Sequence, residues 1–167
     1  MKKFIVVLAA LLLGAVFCFA KDPCEGYWLS IDEKTNEVTA AWCISVDNGI
    51  LKGTITSSKG NPKDSLATDA KGKTPADFPS KGNLWEMPVV GTYWIYNMKQ
   101  DGEGKWTGGS IVNPQDGKCY KCKITFHAAD GKKYKQDTLE MRGEIGMGIG
   151  RSQYWIATDE ATANGDL

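Results

Sequence analysis

Three observations predict an all-β chain folded as an eight-stranded antiparallel meander barrel with one long polar insertion. Apolar and polar residues alternate with period two over a series of short segments. The connections carry tight-turn chemistry, as at Asn48-Gly49, Asp101-Gly102 and Asp130-Gly131. No stretch shows convincing helical periodicity. Strands joined by hairpins need no Greek-key crossover. Closing them into a barrel removes both open edges and leaves room for a small ligand. A two-sheet sandwich is the rival arrangement.

The first residues read as an address. Lys2 and Lys3 precede an apolar run from Phe4 to Val16, too short for a comfortable membrane span, and Cys18-Phe19-Ala20 offers small residues at a signal-peptidase site. Residues 1–20 are therefore expected to be a signal peptide, and 21–167 a single β-barrel domain that is exported, periplasmic or secreted. A lipid on Cys18 is disfavoured by Phe17, where a small residue is expected. No later segment is apolar enough to span a bilayer.

Strands are predicted over 26–31, 38–46 and 51–56, a meander turned at Asp32 to Asn36 and at Asn48-Gly49. Residues 58–83 break the rhythm with Lys, Asp, Pro, Gly and Ser. They read as a long loop, either a spacer that can be shortened over 60–80 or a lid over one end of the fold. Strands follow over 89–99, 106–112, 118–127, 138–143 and 151–157. The fifth and sixth flank Asn113-Pro114 and Asp116-Gly117, and glycines at 146, 148 and 150 bend the chain before the last strand. Residues 159–167 read as a frayed tail, and a short helix within 62–82 is allowed.

Charge and cysteines bound the function. Twenty Lys+Arg balance twenty Asp+Glu, which argues against nucleic acid as a partner. Lysines 118, 121, 123, 132, 133 and 135 read as a solvated strand face. Cys24, Cys43, Cys119 and Cys122 follow the leader, an even number that suggests disulfides in an exported chain. Cys24–Cys43 is the first choice, with Cys43–Cys119 the alternative and Cys122 buried on the core face. The Cys119-x-x-Cys122 pair lies within a strand, ~10 Å apart on opposite faces. That is neither a redox pair at a helix N-terminus nor half of a four-cysteine zinc site. No metal and no cofactor are expected.

Three spaced blocks carry a resemblance. They are Asp101-Gly102-x-Gly104-x-Trp106-x-x-Gly109-x-Ile111-x-x-Pro114-x-x-Gly117-Lys118-x-Tyr120-x-Cys122-Lys123, then Leu139-x-x-Arg142-Gly143-x-Ile145-Gly146, then Gly150-Arg151-Ser152-Gln153-x-Trp155. With Gly26-x-Trp28 they resemble the bacterial exported family known as domain of unknown function 2147. The resemblance implies a calycin-like barrel of the lipocalin type. In lipocalins a Gly-x-Trp opens the first strand and a late basic residue packs over that tryptophan, so it implies that Arg151 covers Trp28. It implies no reaction.

The residues themselves supply no catalytic set. His127 has no Gly-x-Ser-x-Gly elbow to serve, and Glu140 and Glu144 lie among charges that suggest solvent. Trp28, Trp42, Trp94, Trp106 and Tyr120 are interior candidates. Arg151, Gln153 and Trp155 share a strand face by period two. Trp28, Trp42, Trp106, Tyr120, Arg151, Gln153 and Trp155 are thus the expected ligand-binding set, for a small apolar or amphipathic molecule. The same aromatics would equally fill a solid core in a structural or protein-interaction domain, and cavity volume is the quantity that separates the two.

Overall fold

The alternating segments close on themselves. The computed structural model describes residues 21–167, so the expected signal peptide and the expected cleavage after Ala20 lie outside the described residues. Strands β1 (Gly26–Ile31), β2 (Val38–Asp47), β3 (Ile50–Ser58), β4 (Tyr93–Gln100), β5 (Lys105–Val112), β6 (Cys119–His127), β7 (Thr138–Gly146) and β8 (Ile149–Thr158) pair in sequence order. Each neighbour is antiparallel, and β8 returns to β1. The expected eight-stranded barrel is therefore the observed one. No helix among the described residues is long and apolar enough to cross a membrane.

Two irregularities change which side chains face inward. The β2–β3 register shifts between Ala41 and Trp42, so Trp42 faces Ile55 while Ala40 faces Ser58. One extra residue on β3 thus turns Ser58 toward the interior and Ser57 outward. The β3–β4 register also shifts, beside Asn97 with φ of 58°. Ile95 and Met98 point in, and Trp94 and Tyr96 point out. Trp94 is accordingly not an interior residue, contrary to expectation, although it is fully buried.

The insertion explains that burial. Phe78 packs on Trp94 at 5.9 Å and on Tyr96 at 5.2 Å between ring centroids. Ala67, Ala70 and Leu84 are buried with it. The segment docks on the β5–β6 turn, where a Cβ on Gly117 would lie 2.7 Å from the Gly72 nitrogen. A 3₁₀ turn at Leu84–Glu86, later than the helix allowed for, leads toward β4. The expected start of that strand at Val89 is corrected to Tyr93. Residues before it make only isolated bridges, Leu66 with Pro88 and Ile55 with Val90, around Gly91 at φ 88°. The insertion is an outer layer rather than a spacer, because the aromatics of β4 would otherwise face water.

The C-terminus is corrected in the same way. Helix α1 (Glu160–Ala163) is capped by the Asp159 carboxylate, which accepts from the Thr162 amide. Ala163 is buried, and its carbonyl accepts from Thr56 Oγ1 at 2.7 Å and Ser57 Oγ at 3.0 Å. The tail is pinned to the outside of β3 at the residues the bulge turned outward.

One end of the barrel is filled. Trp28, Ile44, Leu51, Met98, Trp106, Ile124 and Leu139 are all buried, with Trp28 edge-on to Phe126. Asp22 ties this base together. Its Oδ1 accepts from the Cys24 amide and from Trp106 Nε1, and its Oδ2 from Gln100 Nε2.

All four cysteines of the described residues are free thiols, so neither Cys24–Cys43 nor Cys43–Cys119 is formed. Cys24 is sealed into the base, where desolvation raises its thiol pKa. Cys43 faces outward beside its β1 partner Tyr27. Cys119 lies on β6, which is not a neighbour of β2, with its Sγ 3.7 Å from Tyr96 Oη. Cys122 is buried on the core face, as expected, and its thiol donates to Met141 Sδ at 3.1 Å.

Candidate functional site

The other end of the barrel is open. A cavity of ≈ 700 Å³ enters between the β1–β2 and β5–β6 turns and the β7–β8 arms at Gly143 and Arg151, with Leu66 to Asp69 of the insertion forming part of its rim. That volume lies within the ~300–1,000 Å³ of small-ligand pockets. Part of the insertion thus borders the mouth.

The cavity floor is aromatic. Trp42 and Trp155 stack with centroids 4.8 Å apart and planes 23° from parallel. Such a pair contributes ~0.5–1.5 kcal/mol beyond its buried area. Strand alternation puts both rings inside, and Ile55, Ile111 and Met141 add apolar wall.

Polar side chains share the lining with the apolar ones, most of them toward the mouth. Ser30 Oγ donates to the Ala40 carbonyl and accepts from Trp42 Nε1 at 3.3 Å, with Thr39 Oγ1 at 2.9 Å. Those groups satisfy one another. Gln153 differs. Its Oε1 accepts from Trp155 Nε1 at 3.2 Å, and its NH2 group has no hydrogen-bond partner among the described residues. Arg151 stands at the rim with one long contact, Nη2 to Glu33 Oε2 at 3.4 Å. Most of its donors remain available. Gln153 and Arg151 therefore offer hydrogen-bond donors on the β8 side, while Asp32 and Asp69 bring acceptor carboxylates to the same lining.

Of the seven residues expected from the sequence, Trp42, Tyr120, Arg151, Gln153 and Trp155 line the cavity. Trp28 and Trp106 do not. Both belong to the filled base, where Trp28 Nε1 donates to the Cys24 carbonyl at 2.9 Å. Nor does Arg151 cover Trp28. Trp28 pairs with Ala157 on β8, and Arg151 lies ~20 Å away along that strand, at the opposite end. Ser30 was missed, though its parity with Trp28 on one strand would have found it. Ser58 and the Leu66–Asp69 rim could not be found by parity, since a bulge and a loop place them.

Among the described residues, Ser152 and His127 do not form a hydrolytic pair. Ser152 Oγ and His127 Nε2 bond different oxygens of the same Glu140 carboxylate, at 2.8 and 3.0 Å. The carboxylate stands between them, so the imidazole has no line to the hydroxyl. His127 is not a bare surface group, because it stacks on Tyr134 at 4.4 Å. Glu144 is buried rather than solvated, held by Arg142 and Lys123. Among the described residues no three His, Cys, Asp or Glu side chains converge on a metal position.

The fold is shared with a solved structure. The protein HP1028 of the human pathogen Helicobacter pylori, which belongs to the lipocalin family, superposes with a TM-score of 0.62. The match covers 83% of this chain and 84% of that one at 15% identity, a likeness of fold alone. Among curated proteins none matches. Residues 26–157 match the family described as an uncharacterized protein conserved in bacteria, DUF2147, and the chain belongs to that family.

Proposed function

We propose that this protein is an exported binding protein of the bacterial cell envelope. Its barrel takes a small amphipathic ligand, apolar body inward on the Trp42–Trp155 stack and a hydrogen-bond-accepting head toward Gln153 and Arg151. The observation that carries the reading is the ≈ 700 Å³ cavity floored by those two indoles. A filled core was the rival, and the lower half of the barrel does have one. The upper half has volume, an aromatic floor and unspent donors together. Export is supported by Lys2, Lys3, the apolar run and Ala20.

The test is a panel of fatty acids, small lipids and aromatic carboxylates, read by tryptophan emission and melting temperature. At one hundred times its Kd a ligand adds ~2.7 kcal/mol of stability, or ~5–10 °C for a chain of this size. Gln153→Leu should weaken binding of carboxylate ligands about five- to tenfold, the loss of one hydrogen bond of ~1 kcal/mol. A flat response across the panel rejects the reading.

A further inference from the structure

We propose that the open end of the barrel docks on an anionic lipid bilayer through the tip of the β7–β8 hairpin. That tip is apolar. Ile145, Met147 and Ile149 are 72%, 99% and 60% exposed. Met147 and Gly148 are the central residues of the turn, at φ 46° and 75°, between the paired Gly146 and Ile149. Two successive positive φ values make a hairpin turn that favours Asn, Asp or Gly at its first position. The chain obeys this preference at the β2–β3 turn, where Asn48 and Gly49 take 51° and 75°. At the mouth a long apolar side chain occupies the equivalent backbone against its conformational preference. The fold makes almost no use of that side chain, which stands in water.

The tip is presented stiffly. Arg142 donates through Nε to Glu144 at 2.8 Å and through Nη2 to the Gly148 carbonyl at 2.8 Å. A Cβ on Gly150 would lie 2.3 Å from the Gly143 carbonyl oxygen, so glycine is what lets the two arms approach.

Position, charge and size identify the occupant. Leu66, 47% exposed, lies across the same mouth, so apolar side chains stand on two sides of one end. Lys121 and Lys123 on β6 and Arg142 and Arg151 on the hairpin arms stand beside the tip, with Glu144 and Glu33 as partners, and Asp32 and Asp69 lie across the mouth from them. Lys121 has no ion-pair partner among the described residues. An apolar tip set among cations partitions into a membrane interface and draws anionic headgroups. A second copy of the chain fits less well. Three side chains on a convex tip offer far less than the ~1,200 Å² or more that a stable protein interface buries.

Co-sedimentation with vesicles tests this directly. The wild-type protein should bind mixed phosphatidylglycerol–phosphatidylcholine vesicles, bind phosphatidylcholine alone at least tenfold less, and release as salt rises. I145S/M147S/I149S should lose at least tenfold in partitioning. M147N should also bind less while melting no lower than wild type, which separates docking from folding. A tryptophan probe, M147W, should shift its emission to the blue only with anionic vesicles. Absence of wild-type binding, or undiminished binding by the triple variant, overturns the proposal. A wild-type dimer that the triple change dissociates overturns it in favour of a second copy. Ligand titrations without vesicles should be unchanged in M147N, so failure here is distinct from failure of the cavity reading.

Discussion

Among the described residues Glu144 is the one buried carboxylate, and it is held between Arg142 and Lys123. Arg142, then Lys123, hold its pKa below the usual value of 4.5. A depressed folded pKa means its stabilisation is present above the unfolded value and is lost as pH falls through the folded one. Glu144→Gln should therefore melt below wild type near pH 7, with the gap closing as pH falls well below 4.5. Melting curves across that range check it, and a gap independent of pH would mean that the charge contributes nothing. At this scale the candidate site was partly legible. Gln153 and Trp155 followed from period two on one strand, and Trp42 from its own. Trp28 and Trp106 obey the same parity and still miss the cavity. Alternation tells a side chain which face it takes but not how far along the barrel axis it lies.

Among the elements, the insertion over 58–83 departs furthest from its sequence signature. Its composition is that of a loop, and its few apolar residues looked isolated because their partners, Trp94 and Tyr96, are distant in sequence. Phe78→Ala should destabilise the protein by ~3 kcal/mol through lost burial and the cavity it leaves. Chemical denaturation measures this, and a loss under 1 kcal/mol would return the segment to the status of a spacer. The strands were legible to within a few residues, since period two and paired turn residues are local signals. The bulges at β3 and β4 were not, because a bulge is settled by what the neighbouring strand offers. Helix α1 escaped for a related reason: four residues are too few to show a period, and its docking depends on Thr56 and Ser57 facing outward.

For the whole molecule, closure is the least secured step. β1 meets β8 only through Tyr27, Trp28 and Leu29, whereas β6 and β7 are in register from Lys121 to His127. Backbone amides at the β1–β8 seam should exchange with solvent through partial opening, well before those of β6 and β7. Hydrogen exchange resolved by strand checks this, and equal protection around the barrel would show that it opens only as one unit. The barrel as a class was legible because eight hairpin-linked segments leave few topologies. Its division into a filled base and an open mouth was not, because that depends on where along each strand the bulk falls.

That division has a consequence for how such a chain can change. The base, knotted at Asp22 and packed around Trp28 and Trp106, holds the fold without reference to the side chains at the rim. Codons for Asn61, Asp69, Asn113, Gln115 and Arg151 can therefore be randomised together with little loss of folded protein. New selectivities are within reach by mutation and selection on a scaffold whose packed core lies elsewhere.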